Sequence, residues 1–173
     1  MKLETKRLLL RQPELKDVQA FVEIHNSTFV LRYNAMQPTT PERMANKFRQ
    51  EAYLQKTVFL EEKETGKLLG AIFLEDDDLR YGVESCCLSY FIGETYSRKG
   101  YMKEAMRAVL VYLFENQKLE CVCCRAFAPN TASRALLKSL GFAENGIIPR
   151  CVKGYGNVIF DDVIHTIFPE NLK

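Results

Sequence analysis

Tyr90-Phe91-Ile92-Gly93-Glu94-Thr95-Tyr96-Ser97-Arg98-Lys99-Gly100-Tyr101-Met102 changes its periodicity part-way along. Its first residues close an apolar run, Val83 to Ile92, that reads as a strand, and a short polar turn follows. From Lys99 onward Met102, Ala105, Met106, Val109, Leu110 and Leu113 recur at helical spacing, with Lys103, Glu104 and Arg107 on the opposite face. The first N–H groups of a helix lack intrahelical partners and its dipole puts partial positive charge there, so a phosphate can bind without a long basic tract. Gly100 lets the backbone approach such an anion closely, and Arg98 and Lys99 add local charge. Taken alone, the same pattern also describes a glycine that merely serves a turn.

Working outward, Cys121 to Ala128 reads as a strand ended by Pro129-Asn130. Asn130 is a candidate N-cap for a helix carrying Ala132, Ala135, Leu136 and Leu140, which Gly141 stops. After a loop, Ile147 to Val152 and Val158 to Ile167 read as the last strands. On the other side, Thr57 to Glu62 and Leu68 to Leu74 form a hairpin around Glu64-Thr65-Gly66-Lys67. The acidic run Glu75 to Asp78 reads as a solvated turn, because no calcium-loop spacing follows it. Leu3 to Arg11 reads as one strand. Leu15, Val18, Phe21, Val22 and His25 then recur at helical spacing, residues 26–40 look irregular, and Thr40-Pro41-Glu42 opens a helix through Leu54 with Met44, Phe48 and Ala52 on its buried side. The resulting order is strand, two helices, three strands, helix, strand, helix, two strands. It predicts an α/β fold with a mixed sheet and helices on both faces.

With 173 residues, 47% of them apolar and 27% charged, the chain suits one domain with one sizeable core rather than a disordered segment. A net charge of +2 with Lys and Arg interleaved among acids argues against a nucleic-acid stripe or a membrane-binding basic segment. The longest apolar runs are far shorter than a membrane span, and Met1 to Arg7 has no apolar signal core, which predicts a cytoplasmic location. The cysteines 86, 87, 121, 123, 124 and 151 lack paired Cys-x-x-Cys spacing, and only His25 and His165 could add imidazole ligands. They are expected to pack as small hydrophobes, with no metal site.

Several blocks together resemble the GNAT-type N-acetyltransferases. Tyr96-Ser97-Arg98-Lys99-Gly100-Tyr101-Met102-Lys103-Glu104-Ala105 looks like that family's pyrophosphate loop, usually Arg/Gln-x-x-Gly-x-Gly/Ala ahead of a helix. Asn130-Thr131-Ala132-Ser133, followed at the family's spacing by Leu140-Gly141-Phe142, is similar to the segment flanking the pantetheine arm. Glu4-Thr5-Lys6-Arg7-Leu8-Leu9-Leu10-Arg11 resembles the opening strand of the RimJ/RimL branch, and Phe160-Asp161-Asp162-Val163-Ile164 its last strand. The blocks stand in the family's order over nearly the whole chain. Two residues depart from the pattern: Ser97 replaces Arg or Gln, and Met102 brings a bulky thioether where Gly or Ala is usual.

The resemblance implies one GNAT-like domain over residues 1–173, with a mixed, mostly antiparallel sheet of about seven strands, about four helices and a central splay for the cofactor. It implies acetyl-coenzyme A, held by backbone groups at Phe91 and Ile92, by Arg98, Lys99, Gly100, Tyr101 and Met102, and by Asn130 and Ser133. Transfer would proceed by direct attack of a primary amine, without a covalent enzyme intermediate. Many members carry a proton-donating Tyr at the position of Leu137. The RimJ/RimL pattern has a Ser at Ser133, which is therefore the candidate acid, although a first-turn serine also solvates backbone N–H groups. Glu84 is the candidate base, acting through water, against the alternative of a solvated strand-edge carboxylate. Tyr33 and Asn34 are expected to line the acceptor pocket. The branch implies a protein or peptide N-terminal amine as acceptor, for a monomer or homodimer. The alternatives are a small amine (polyamine, amino acid or aminoglycoside), which the acidic run keeps open, and a non-catalytic acyl-coenzyme A binder, which Ser97 and Met102 motivate.

Overall fold

In the computed structural model, which describes residues 1–173, the strands are Leu3–Glu4 (β1), Leu8–Arg11 (β2), Thr57–Glu62 (β3), Leu68–Glu75 (β4), Ser85–Ile92 (β5), Cys121–Phe127 (β6), Ala143–Lys153 (β7) and Ile159–Ile167 (β8). The helices are Val18–His25 (α1), Thr28–Leu31 (α2), Pro41–Lys47 (α3), Glu51–Gln55 (α4), Tyr101–Glu115 (α5) and Thr131–Leu140 (α6). One eight-stranded sheet runs β1-β2-β3-β4-β5-β6-β8-β7, antiparallel everywhere except between β5 and β6.

Side chains alternate across the sheet and feed two cores. Val58 and Leu60 of β3 join a large cluster with Met102, Ala105, Met106, Val109 and Leu110 of α5 and Leu137 and Leu140 of α6. Phe59, between them, points the other way into a smaller, aromatic cluster with Phe21 and Val22 of α1, Met44 of α3 and Phe91 of β5. Cys121, Cys123 and Cys124 are buried within β6 and every cysteine is unpaired. No helix is long and apolar enough to cross a membrane.

The structure departs from the expected elements where short-range chemistry overrides periodicity. Leu3 to Arg11 is two strands, because Thr5 turns the chain: its N–H donates to the Leu8 carbonyl at 2.9 Å and its hydroxyl accepts the Leu8 N–H at 3.0 Å, folding β1 onto β2. Residues 26–40 contain α2, whose four residues are too few to show a period and whose N-cap is Ser27. The helix expected from Pro41 to Leu54 breaks after Lys47. Phe48 leaves α3 to pack edge-on against Phe21 and Phe59 and to stack on Tyr53, and α4 restarts beyond it. β7 begins at Ala143 rather than Ile147, and two register shifts against β8 disguise its alternation. The sheet thus has eight strands rather than seven.

Candidate active site

Strands β5 and β6 pair only from Ser85–Leu88 to Cys121–Cys124. Beyond that point they part: Ser89 to Ile92 stay with β4, and Arg125 to Phe127 stay with β8. Gly70 on β4 permits the divergence, since a Cβ there would lie 2.3 Å from the Phe91 carbonyl oxygen. β5 leans into that space and away from β6. The Gly93 N–H donates to the Leu69 carbonyl on the β4 side at 2.8 Å. Because backbone groups alternate in direction along a strand, Phe91 also faces β4, while Tyr90 and Ile92 turn theirs into the gap. Of the expected backbone pair, Phe91 is therefore turned to β4 and only Ile92, with Tyr90 before it, faces the gap; the Phe91 ring lines the adjacent cleft.

At the mouth of the gap the chain coils once. The Ser97 N–H and hydroxyl both donate to the Glu94 carbonyl, at 3.0 and 2.7 Å. Arg98 and Gly100 then adopt left-handed φ angles of 58° and 81°, and Gly100 caps α5. The six N–H groups from Arg98 to Lys103 have no acceptor in the protein, the arrangement that makes an anion-binding concavity. The side chains of Arg98 and Lys99 are exposed and form no ion pair. Met102 is corrected: its thioether is 6% exposed, turned into the main core, so only its N–H remains at the loop.

Arg7 braces this loop from the opposite end of the sequence. Its Nε reaches Glu104 at 2.7 Å, another guanidinium nitrogen donates to the Lys99 carbonyl at 3.0 Å, and the guanidinium lies 4.1 Å over the Tyr101 ring. Burial alone would raise the Glu104 carboxyl, but hydrogen bonds from Thr5 and Arg7, with the Arg7 charge, hold it below its ordinary value. The Tyr101 hydroxyl donates to Glu62 on β3. Sequence reasoning missed Arg7 because its partners lie 92 and 97 residues away.

Across the gap, Asn130 caps α6 by accepting the Ser133 N–H at 3.2 Å. The Ser133 hydroxyl in turn lies 2.7 Å from that of Tyr90, so β5 and α6 meet at a pair of hydroxyls beside the splay. Burial, with the Cys124 thiol adding, pushes the Tyr90 hydroxyl up and keeps it a neutral phenol. Tyr90 was missed; the sequence signal was a tyrosine on the core face of a strand, where its O–H needs a partner. Leu137, where many relatives carry a tyrosine, is wholly buried.

A cleft of about 660 Å³ opens beside these hydroxyls, lined by Tyr90, Ser133 and Asn130 on one side and by α1, α3 and residues 33–39 on the other. Tyr33 and Asn34 both line it. The Asn34 carbonyl accepts the Tyr155 N–H at 3.2 Å and its side chain accepts the Met36 N–H at 3.3 Å, so Asn34 shapes the wall. Glu84 is corrected. It is exposed at the start of β5, its N–H bonded to Glu120, about 20 Å along the strand from Tyr90 at the usual rise per residue. Among the lining charges, Arg125 is paired with Asp162 at 2.6 Å, whereas Arg43 and Lys47 of α3 have no carboxylate partner. Glu75 accepts a hydrogen bond from Ser89 at 2.7 Å.

The family model described as an acetyltransferase (GNAT) domain matches residues 7–143. The chain belongs to the GNAT acetyltransferases. It is 27% identical over 179 residues to the uncharacterized N-acetyltransferase YnaD of Bacillus subtilis, covering 98% of each chain. The GNAT fold is shared with a ribosomal-protein-S5-alanine acetyltransferase from Vibrio fischeri at TM-score 0.85 and 17% identity, covering 100% of this chain and 99% of that one. It is shared too with a spermidine N-acetyltransferase from Vibrio cholerae, solved with coenzyme A and spermine, at TM-score 0.82 and 18% identity, covering 96% and 98%. GNAT enzymes use acyl-coenzyme A, and the free N–H groups at Arg98 to Lys103 and the unpaired edge at Tyr90 and Ile92 suit its phosphates and its amide-bearing arm.

Proposed function

We propose that this GNAT N-acetyltransferase moves the acetyl group of acetyl-coenzyme A to the N-terminal amine of a protein or peptide. The observation that carries the reading is an open cleft that meets the sheet gap at the Tyr90–Ser133 hydroxyl pair, with unpaired cations rather than carboxylates along its α3 wall. Bound acetyl-coenzyme A supplies a thioester carbonyl open to attack. The N–H groups of Arg98 to Lys103 would hold its pyrophosphate, the backbone of Tyr90 and Ile92 its arm, and Asn130 the stretch between. Ser133, hydrogen-bonded to the neutral Tyr90 phenol, would supply the proton to the departing sulfur. The rings of Phe21 and Phe91 give that side of the cleft an aromatic floor.

Charge along the α3 wall discriminates among acceptors. A polyamine, the substrate named for the Vibrio cholerae enzyme, would bring several cations against Arg43 and Lys47. A peptide N-terminus, to which an enzyme named like the Vibrio fischeri one for an alanine of a ribosomal protein is suited, brings one ammonium and backbone carbonyls that those cations can meet. The same two residues favour, as second reading, a free amino acid with its carboxylate. Thiol release from acetyl-coenzyme A tests this with peptides of N-terminal alanine or serine, amino acids and spermidine. Release ranked peptide over amino acid over spermidine is expected. Preference for spermidine overturns the acceptor assignment.

A further inference from the structure

Helix α1 ends in His25, an imidazole only 5% exposed, packed between the rings of Phe21 and Phe91 at centroid distances of 5.5 and 6.0 Å, and lining the acceptor cleft. Its Nδ1 lies 3.0 Å from Asn26 Oδ1. The Asn26 amide is held by Thr39, whose carbonyl accepts from Nδ2 at 2.8 Å and whose N–H donates to Oδ1 at 2.9 Å. An amide oxygen only accepts, so Nδ1 carries the ring proton and Nε2 the lone pair. Nε2 has no hydrogen-bond partner in the protein, yet it is absent from the buried unpartnered atoms, which are Arg134 Nε, Asp162 Oδ1 and His165 Nε2. It is therefore a basic nitrogen reached by solvent, held in one tautomer on an aromatic floor.

Amine acetylation needs a neutral amine, because an ammonium has no lone pair with which to attack, and a well-placed base raises the neutral fraction. We propose that His25 Nε2 is the proton acceptor that converts the bound ammonium into the attacking amine. One N–H proton passes to Nε2, and the freed lone pair forms the C–N bond to the acetyl carbon. The C–S bond breaks with its electrons on sulfur. The Ser133 hydroxyl gives its proton to sulfur and regains one from the second proton shed by the amide nitrogen, and the imidazolium returns its own to solvent. Of the carboxylates, Asp162 is paired with Arg125, Glu75 accepts from Ser89 at the exposed end of β4, and Glu84 lies elsewhere. The other titratable groups lining the cleft with it are Tyr33 after α2, Arg43 and Lys47 on α3, Tyr53 on α4, and Cys87 and Tyr90 on β5. Burial and the Lys47 charge lower the His25 pKa, against the Asn26 hydrogen bond, leaving the ring neutral at neutral pH.

This inference rests on the amine-acceptor reading above, and its test separates the two. Nitrogen-15 NMR of the intact protein should show a neutral His25 protonated on Nδ1; protonation on Nε2 overturns the proposal. His25→Gln should lower kcat/KM roughly 100-fold toward a peptide with N-terminal alanine, abolish the acid limb of the pH profile, and leave coenzyme A affinity by calorimetry unchanged. Toward O-methylhydroxylamine, which is already neutral, the variant should lose little. A surviving acid limb, or equal loss on both acceptors, overturns the role. Should His25→Gln melt early, His25→Ala supplied with imidazole replaces it: rescue of peptide acetylation supports the proposal and absence of rescue overturns it. Wild-type protein that acetylates neither amine overturns the acceptor reading first, and this inference with it.

Discussion

Ser133 occupies two roles that share one geometry. Its N–H satisfies the Asn130 cap and its hydroxyl meets Tyr90, so replacing the hydroxyl leaves the helix start intact. Ser133→Ala should therefore lower kcat roughly 10- to 100-fold while coenzyme A affinity by calorimetry hardly changes. A kcat equal to wild type would place proton supply elsewhere. Asn130 and Ser133 were legible because a cap and its third residue are neighbours in sequence. Tyr90 and His25 were not: one depends on a contact 43 residues away, the other on an amide oriented by Thr39, 13 residues beyond it.

Among the elements, α5 has the most consequential start. Gly100 has only the Arg7 side chain within 4 Å of a built Cβ, so space is not the constraint; its φ of 81° is. Gly100→Ala should destabilise the protein by about 1 kcal/mol in urea melts. Gly100→Glu adds a charge that repels phosphate beside the six free N–H groups and should abolish coenzyme A binding by calorimetry. Retained binding would mean that the loop is not the cradle. Glu104 secures the same loop through Thr5 and Arg7. Its folded pKa is lowered, so its contribution is full above the unfolded value and lost as pH falls through the folded one. Glu104→Gln should cost about 1–2 kcal/mol at neutral pH, and its melting curve should converge on wild type between about pH 5 and pH 3. A constant gap across that range would show that the carboxylate charge is not what matters. The helix, its face and its capping glycine were readable from periodicity; the Arg7 brace was not, because it joins the two ends of a long stretch of chain.

For the whole molecule, the sheet's central divergence depends on a residue without a side chain. Gly70→Ala would press a methyl into the Phe91 carbonyl and force β5 to move. A loss of about 1–3 kcal/mol in urea melts is expected, together with weaker coenzyme A binding, since the edge at Tyr90 and Ile92 moves with it. Unchanged affinity would separate the splay from the cofactor. The α/β class and the hairpin were readable from the sequence, and so was the strand-to-helix turn. The split of the first strand at Thr5 and the bulges between β7 and β8 were not, because turn pairing and register are properties of pairs of strands. At the centre of this sheet two strands share a short ladder and then leave their inner edges unmatched. A molecule that completes that ladder binds only the folded chain, so its concentration acts on folding itself: about 2.7 kcal/mol of added stability at a hundred times its dissociation constant. The melting temperature would then serve as a gauge of acyl-coenzyme A supply, and the chain would be easiest to unfold and degrade when that supply runs short.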